Sequence, residues 1–292
     1  MIFLGEVVTE KEKVVKQEEK DVLPEKNQSN PIEKLNSLIG LNSVKSEIKS
    51  LENFLKVQIE RDKQGLKQTS LSYHCVFTGN PGTGKTTVAR ILAEIYKNLG
   101  IIERGHLVET DRSGLVAEYV GQTAVKTNKI IDSALDGVLF IDEAYSLAVG
   151  SKIDYGNEAI ATLLKRMEDN RDRLIVILAG YTDEMKTFID SNPGLQSRFS
   201  RYIEFSDYSA EDLYKIFESK MKEEEYTITD EAKVYLQKFF ADSVIHKDRN
   251  FGNGRFVRNI FEKVITQQSN RLASLPNLNS KILSEITIDD LK

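Results

Sequence analysis

The chain has 292 residues and a formal net charge of −5, and 40% of its residues are hydrophobic while 29% are charged. This composition is that of an ordinary globular protein with room for one large domain or two modest ones. The acidic balance gives no general electrostatic footprint for nucleic acid, and no apolar run is long enough to span a membrane. The single cysteine, Cys75, excludes an internal disulfide framework and favours a cytoplasmic location.

Residues 1–30 differ in character from the rest of the chain. From Thr9 to Lys26 the sequence is dominated by Glu and Lys, without an apolar stripe wide enough to pack. The run from Asn27 to Pro31 then indicates a break. We predict a flexible or partly helical N-terminal segment, and a partner-docking helix is the alternative.

Residues 31–206 predict a parallel α/β domain. An amphipathic helix carries Val44, Ile48, Leu51 and Leu55 on one face. Unbroken apolar runs then alternate with helical patterns, which is typical of a parallel sheet covered on both faces. The predicted strands are 74–78, 106–110, 137–141, 174–179 and 202–205, and one predicted helix covers 115–132.

The pattern becomes helical from Ser209 onward. Ser209 and Asp212 have the spacing of a capping box, although Asp replaces the preferred Glu. Three amphipathic helices follow, and Gly252-Asn253-Gly254 precedes the third. We therefore predict a small helical lid domain over residues 207–292.

The clearest motif is Gly79-Asn80-Pro81-Gly82-Thr83-Gly84-Lys85-Thr86, which has the G-x-x-x-x-G-K-T spacing of a phosphate-binding P-loop. Its glycines allow backbone N–H groups to close around phosphate oxygens, and the following helix presents its positive dipole end to the anion. Lys85 can reach the β- and γ-phosphates, and Thr86 can offer its hydroxyl to Mg²⁺. The alternative, a glycine-rich turn without a nucleotide, does not account for the flanking strand and helix.

Asp142 and Glu143 follow the apolar strand 137–141. The carboxyl ends of strands form the ligand crevice of a doubly wound sheet. We expect Asp142 to hold the hydration shell of Mg²⁺, and Glu143 to orient and deprotonate the attacking water. A surface turn is the alternative for a lone Asp-Glu pair, but together with the P-loop the pair predicts a hydrolase.

Four further arginines are candidates. Arg198 and Arg201 lie in a turn-rich segment before the last strand, where Arg198 could reach the γ-phosphate of a neighbouring subunit. Surface salt bridging is the alternative for both. Arg255 opens a helix of the lid and could close that domain on the nucleotide, while for Arg258 a structural role stays open.

These motifs together resemble the AAA+ ATPases. Four more segments resemble the branch that contains stage V sporulation protein K, the red-type Rubisco activase CbbX and the EccA proteins of type VII secretion. These segments are Leu38-Ile39-Gly40-Leu41, Ile141-Asp142-Glu143-Ala144-Tyr145-Ser146-Leu147, Leu178-Ala179-Gly180-Tyr181 and Asn192-Pro193-Gly194-Leu195. The resemblance covers about residues 35 to 275 and excludes the first 30.

The resemblance implies an AAA+ P-loop sheet covered by helices, a C-terminal lid, ATP and Mg²⁺ as cofactors, and a homo-oligomeric ring, expected to be a hexamer. Arg198 matches the arginine finger and Arg255 the sensor-2 arginine, while sensor 1 falls at Tyr181 or Thr182, where many members have Asn. The implied catalytic residues are Glu143, Arg198 and Lys85. The implied cofactor-binding residues are Ile39, Gly40, Gly79, Asn80, Pro81, Gly82, Thr83, Gly84, Lys85, Thr86, Thr87, Asp142, Thr182 and Arg255, with Thr86 and Asp142 on the metal.

Tyr119-Val120-Gly121 resembles the pore loop with which AAA+ rings grip a polypeptide, and a packed aromatic is the alternative reading of Tyr119. The leading hypothesis is thus an ATP hydrolase that remodels or partly threads a protein client. A nucleotide-gated scaffold that binds a partner is the main alternative. A nucleic-acid motor is less favoured, because the acidic chain predicts no basic groove.

Overall fold

The computed structural model describes residues 30–67, 72–119, 121–148 and 155–292, so the prediction for the N-terminal segment lies outside the described residues. The strands of the main sheet are β1 (Cys75–Gly79), β2 (Leu107–Thr110), β3 (Gly137–Ile141), β4 (Leu174–Gly180) and β5 (Arg201–Phe205). They are all parallel and lie in the order β2-β3-β4-β1-β5. This arrangement confirms the predicted α/β fold class.

Helices cover both faces of the sheet. In the described part before residue 207 they are α1 (Pro31–Ser37), α2 (Asn42–Lys63), α3 (Lys85–Asn98), α4 (Arg112–Leu115), α5 (Thr123–Ala134), α6 (Gly156–Asp169), α7 (Thr182–Asp190) and α8 (Pro193–Arg198), with a 3₁₀ turn at Ala144–Ala148. Successive residues of β3 point to opposite faces, so that Phe140 belongs to the core shared with α2 and α3 while Leu139 belongs to the core shared with α5 and α6. This double burial is why β3 and β4 are apolar throughout.

The predicted helix over 115–132 is wrong in its first half. α4 ends at Leu115, and α5 begins only at Thr123. Gly121 adopts a φ of 74°, and the Thr123 hydroxyl accepts a hydrogen bond from the Ala117 N–H at 3.1 Å. This local bond, made by a fully buried threonine, stabilises a turn in place of helix and leaves Tyr119 on an irregular segment.

The C-terminal part is a helical unit with its own core. Its helices are α9 (Ala210–Glu223), α10 (Asp230–Ile245), α11 (Asn253–Leu272) and α12 (Ser280–Ser284), with a 3₁₀ turn at Ile288–Leu291. The predicted capping box forms, since the Ser209 hydroxyl accepts from Asp212 N at 3.1 Å and Asp212 Oδ2 accepts from Ser209 N at 3.3 Å. Phe217, Phe240 and Phe261 pack edge to face in the centre.

Two features of this unit were not predicted. Strands β6 (Thr227–Ile228) and β7 (Glu285–Ile286) form a short parallel pair that joins distant parts of the chain. The third helix begins directly at Asn253 rather than after Gly254. In the described part of the chain, no helix combines the length and the apolar character that crossing a membrane requires.

Candidate functional site

A cleft of about 880 Å³ opens at the carboxyl ends of the parallel strands. On the sheet side it is lined by the P-loop, by Asp142 and Glu143 after β3, and by Gly180 and Tyr181 after β4. Residues of the lid and of the segment leading into it close the other side, namely Tyr208, Ile216, Ser219, Lys220, Glu223, Gly254, Arg255, Val257 and Arg258. The strand order accounts for this convergence, because parallel strands deliver their ends to one edge of the sheet.

The P-loop between β1 and α3 is tightly enclosed. Gly79 and Gly82 have φ angles of 137° and 71°, in the left-handed region that side chains disfavour. A Cβ would lie 2.2 Å from the Phe205 carbonyl oxygen at Gly79, and 2.2 Å from the Gly252 carbonyl oxygen at Gly82. Because α3 begins at Lys85, the dipole of its first turn faces the loop. The loop therefore fits the phosphate groups of a nucleotide.

Lys85 is held inside the loop by backbone oxygens. Its Nζ donates to the carbonyl of Gly79 at 2.8 Å and to that of Asn80 at 2.9 Å. The pKa of Lys85 is lowered to about 8, mainly by burial. The negative charge of Asp142 acts to raise this pKa, and the positive charge of Arg255 acts to lower it. An anion bound in the cleft would stabilise the protonated, charged form of the amine, and this is the form that binds phosphate.

The end of β3 presents two carboxylates. The Asp142 N–H donates to the Thr110 carbonyl at 2.8 Å, and Asp142 Oδ1 accepts from Glu143 N at 3.0 Å. Glu143 has a φ of 47°, a conformation that is uncommon outside glycine and recurs at functional sites. Thr86 and Asp142 both line the cleft and offer oxygen atoms, the donor type that Mg²⁺ prefers, so these two residues could hold the ion.

Most of the residues predicted for the nucleotide line this cleft: Ile39, Gly79, Pro81, Gly82, Gly84, Lys85, Thr86, Thr87, Asp142, Glu143 and Arg255. Four of the predicted residues are not among those that line the cleft, namely Gly40, Asn80, Thr83 and Thr182. Thr83 is fully buried, and its hydroxyl donates to the Asn80 carbonyl at 2.8 Å, so it braces the loop from inside. Thr182 is exposed at the start of α7, while its neighbour Tyr181 lines the cleft. Tyr181 is therefore the better placed of the two sensor-1 candidates.

The predicted arginine finger and pore-loop tyrosine, Arg198 and Tyr119, are not among the residues that line the cleft. Arg198 ends α8, where its guanidinium is 3.3 Å from the Gly194 carbonyl oxygen and 3.5 Å from Glu168. Tyr119 is 74% exposed, so the packed-aromatic reading does not describe it. Gly121 follows it, and Val120 lies outside the described residues. The chain's own cleft does not bring Arg198 or Tyr119 to the P-loop.

Sequence reasoning missed the polar cluster that joins the P-loop to the lid. Asn253 is fully buried with a φ of 48°, and its Nδ2 donates to Asp207 Oδ1 at 2.8 Å and to the Pro81 carbonyl at 3.3 Å. The Asn80 Nδ2 also donates to Asp207 Oδ1, at 2.9 Å. The Gly-Asn-Gly run marked a helix start, but no local pattern indicates a contact between such distant positions.

A family model for the ATPase family associated with various cellular activities (AAA) matches residues 75–207, and a model for the AAA lid domain matches residues 209–292. The chain therefore belongs to the AAA family of ATPases. The limits proposed for its parts, 1–30, 31–206 and 207–292, stay predictions.

Among its relatives, stage V sporulation protein K of Bacillus subtilis is 46% identical over 239 residues, which are 82% of this chain and 74% of the relative. Protein CbbX of Cereibacter sphaeroides is 43% identical over 258 residues, 87% of this chain and 83% of the relative. The ESX-3 secretion system protein EccA3 of Mycobacterium tuberculosis is 42% identical over 275 residues, 88% of this chain but only 43% of EccA3. The predicted resemblance to this branch is confirmed.

A solved structure of a RuvB mutant from Thermotoga maritima is similar to this chain with a TM-score of 0.57 and 19% identity. The likeness covers 88% of this chain and 69% of the RuvB chain. At this identity it supports the fold alone.

Proposed function

We propose that this chain is a Mg²⁺-dependent ATP hydrolase that assembles into a homo-oligomeric ring, with six subunits expected, and uses hydrolysis to remodel or partly thread a protein partner. The observation that carries the proposal is the convergence of Lys85, Asp142, Glu143 and Arg255 on one cleft between the sheet and the lid. Nucleotide binding alone does not require a second carboxylate beside the metal ligand, whereas water activation does. A cytoplasmic location is part of the proposal.

Each of these side chains has a role in the proposed reaction. Lys85 exchanges its bonds to two loop carbonyls for bonds to phosphate oxygens. Glu143 orients the attacking water and accepts its proton. Arg255, near the start of α11, brings positive charge from the lid to the phosphates. Mg²⁺, when bound by Thr86 and Asp142, supplies charge neutralisation at the phosphate oxygens.

The exposed Tyr119 supports a protein partner. A large aromatic side chain that is 74% exposed, two residues before a glycine, offers an unfolded polypeptide an apolar contact without sequence preference. The relatives are named for sporulation and for a secretion system, among others, so the proposal leaves the partner open. The net charge of −5 favours a protein over nucleic acid.

The substitution Glu143→Gln tests the hydrolase. We expect ATP turnover to fall by about 100-fold or more while the affinity for ATP stays within about threefold, because the amide keeps the shape but cannot accept the proton. Lys85→Ala is the matched control, and it should weaken nucleotide binding itself. Turnover that survives Glu143→Gln would contradict the catalytic assignment. A wild-type chain that binds ATP and captures a partner without turnover would support the scaffold alternative.

Threading is tested separately. In a ring that hydrolyses ATP, Tyr119→Ala should leave basal turnover intact and abolish the stimulation of turnover by an unfolded polypeptide. Tyr235→Ala, which removes another exposed tyrosine from α10, is the control and should leave the stimulation in place. If the polypeptide stimulates Tyr119→Ala as strongly as it stimulates Tyr235→Ala, Tyr119 does not grip the polypeptide.

A further inference from the structure

The middle of the P-loop is hydrogen-bonded to the lid and to the segment before it. Three consecutive carbonyl groups, those of residues 81, 82 and 83, accept hydrogen bonds from the lid or from the segment that leads into it. The bonds are Asn253 Nδ2 to Pro81 O at 3.3 Å, Gly254 N to Gly82 O at 3.0 Å and Tyr208 Oη to Thr83 O at 3.4 Å. In a trans peptide the carbonyl and the following N–H point in opposite directions. These donors therefore fix the directions of the N–H groups of residues 82–84, which are the groups that a P-loop offers to phosphate.

Asn253 is the centre of this contact. The two hydrogens of its Nδ2 are shared among three acceptors, namely Asp207 Oδ1 at 2.8 Å, the Phe251 carbonyl at 3.0 Å and the Pro81 carbonyl at 3.3 Å, and its Oδ1 accepts from Tyr208 N at 2.9 Å. The side chain is fully buried, so each of these bonds is made in the absence of bulk water. An asparagine suits the position, because its amide both donates and accepts and because asparagine tolerates a φ of 48°.

Asp207 extends the contact to the start of the loop. Its Oδ1 also accepts from Asn80 Nδ2 at 2.9 Å, and its Oδ2 accepts from Lys247 Nζ at 2.6 Å. Burial alone would raise the pKa of Asp207, but the hydrogen bonds from Lys247, Asn253 and Asn80 bring it below the usual value. The carboxylate is therefore a charged acceptor that holds a residue of the P-loop and two residues of the lid at once.

We propose that Asn253 is a positioning residue for nucleotide binding, through which the lid sets the orientation of the P-loop peptides. The side chain contacts the loop, and the residue itself begins α11, so a nucleotide that orders the loop also biases the lid, and the reverse. The inference rests on the proposed function of the cleft as an ATP site. It assigns to Asn253 a role that differs from that of Arg255, because Asn253 acts on the loop and does not line the cleft.

The test is Asn253→Gly in the full chain. Glycine keeps the positive φ at no steric cost and removes only the side chain. We expect the KM for ATP and the Kd for a fluorescent ADP analogue to rise roughly tenfold, while kcat changes less than about twofold, because the loop is misplaced but the carboxylates at the end of β3 are not. Asn253→Asp keeps the shape and sets a second carboxylate against Asp207, so it should raise KM further than glycine does.

Two controls separate positioning from stability. Val264→Ala removes volume from the lid core on the same helix, and it should lower the thermal midpoint without changing KM. Asn250→Gly changes an exposed asparagine of the adjoining segment and should change neither quantity. The inference is overturned if Asn253→Gly lowers the thermal midpoint as Val264→Ala does but leaves KM and Kd at wild-type values.

A second variant keeps the inference testable if Asn253→Gly does not fold. Asn80→Ala removes the bond to Asp207 from the loop side, and it should raise the same two constants in the same direction. If both variants fold, their effects should be less than additive, because both side chains act through one carboxylate. A wild-type chain that binds no ATP would refute the proposed function. A wild-type chain that binds ATP, with unaltered constants in Asn80→Ala, would refute the inference alone.

Discussion

His74 is a buried titratable side chain that the proposed reaction does not use. It is 7% exposed, its Nδ1 accepts the Val176 N–H at 3.0 Å, and its ring lies 5.6 Å from that of Phe199. Burial lowers the pKa of His74 to about 4, and the charge of Arg198 acts in the same direction. The neutral imidazole is therefore part of the folded structure, and its protonation must weaken the fold.

We expect His74 to make the free energy of unfolding fall by roughly 3 kcal/mol as the pH drops from about 6.5 to about 4. In that interval the unfolded chain binds a proton at His74 and the folded chain does not, so the contribution is complete above 6.5 and lost toward 4. His74→Asn offers an oxygen in place of Nδ1 and does not titrate. Urea unfolding of the wild-type chain and of His74→Asn at several pH values isolates the contribution of His74. The carboxylates also titrate in this range, but they are the same in both proteins. Parallel losses of stability would contradict the assignment.

The shape of the P-loop depends on the helix that packs against it. At Gly82 an added Cβ would lie 2.2 Å from the Gly252 carbonyl oxygen and 2.8 Å from Arg255 N. Gly100, after the end of α3, has almost the same φ, 72° against 71°, but an added Cβ there has no described heavy atom within 4 Å. Substitutions at these two glycines therefore distinguish the effect of backbone strain from the effect of close contact with the lid.

Gly100→Ala should cost about 1–2 kcal/mol of stability for the left-handed conformation and leave the KM for ATP unchanged. Gly82→Ala carries the same strain and also forces the loop and α11 apart, so we expect KM to rise by more than about tenfold. Urea unfolding and steady-state kinetics on the two variants give both quantities. Equal KM values would show that close contact between loop and lid is not needed for binding.

The elements that the sequence predicted well are those whose cause is local. The strand β3 is apolar because both of its faces are buried, and the capping box at Ser209 is built from residues three apart. The break before Thr123 was missed although its cause is also local, because a side-chain hydrogen bond between residues six apart and a positive φ override the helical pattern there. Asn253 was missed for a different reason, since its partners are distant in the sequence, in the P-loop and before α9.

The lid is joined to the sheet domain by contacts of unequal weight. Arg249 pairs with Glu184 at 2.6 Å, but the arginine is 63% exposed, and such pairs contribute little to stability. The bonds of Asn253 are shielded from water, and their loss would leave the buried Tyr208 N–H without its described acceptor. We therefore expect coupling between lid and P-loop to depend on Asn253 more than on the surface ion pairs.

The proposed ring bears on Arg198, which is not among the residues that line the chain's own cleft. In the described part of the chain, the guanidinium of Arg198 makes contacts of 3.3 to 3.5 Å, to Gly194, Ser197 and Glu168, and its buried Nε has no hydrogen-bond partner there. A guanidinium held in this way can leave its position at little cost. This supports the proposal that Arg198 completes the ATP site of a neighbouring subunit, where its charge would stabilise the transition state.

Mixing two inactive variants tests this arrangement. Arg198→Ala leaves a subunit with an intact P-loop, and Lys85→Ala leaves one with an intact arginine, so neither should hydrolyse ATP alone. In a mixed ring, a site works where an Arg198→Ala subunit faces the arginine of a Lys85→Ala neighbour, which is about one quarter of the sites at equal amounts. Steady-state turnover of the mixture should therefore recover to roughly that fraction of wild type. Arg171→Ala, which removes another arginine beside Glu168, is the control and should stay active by itself. A mixture that stays inactive, in rings shown to contain both variants, would place the function of Arg198 within its own subunit.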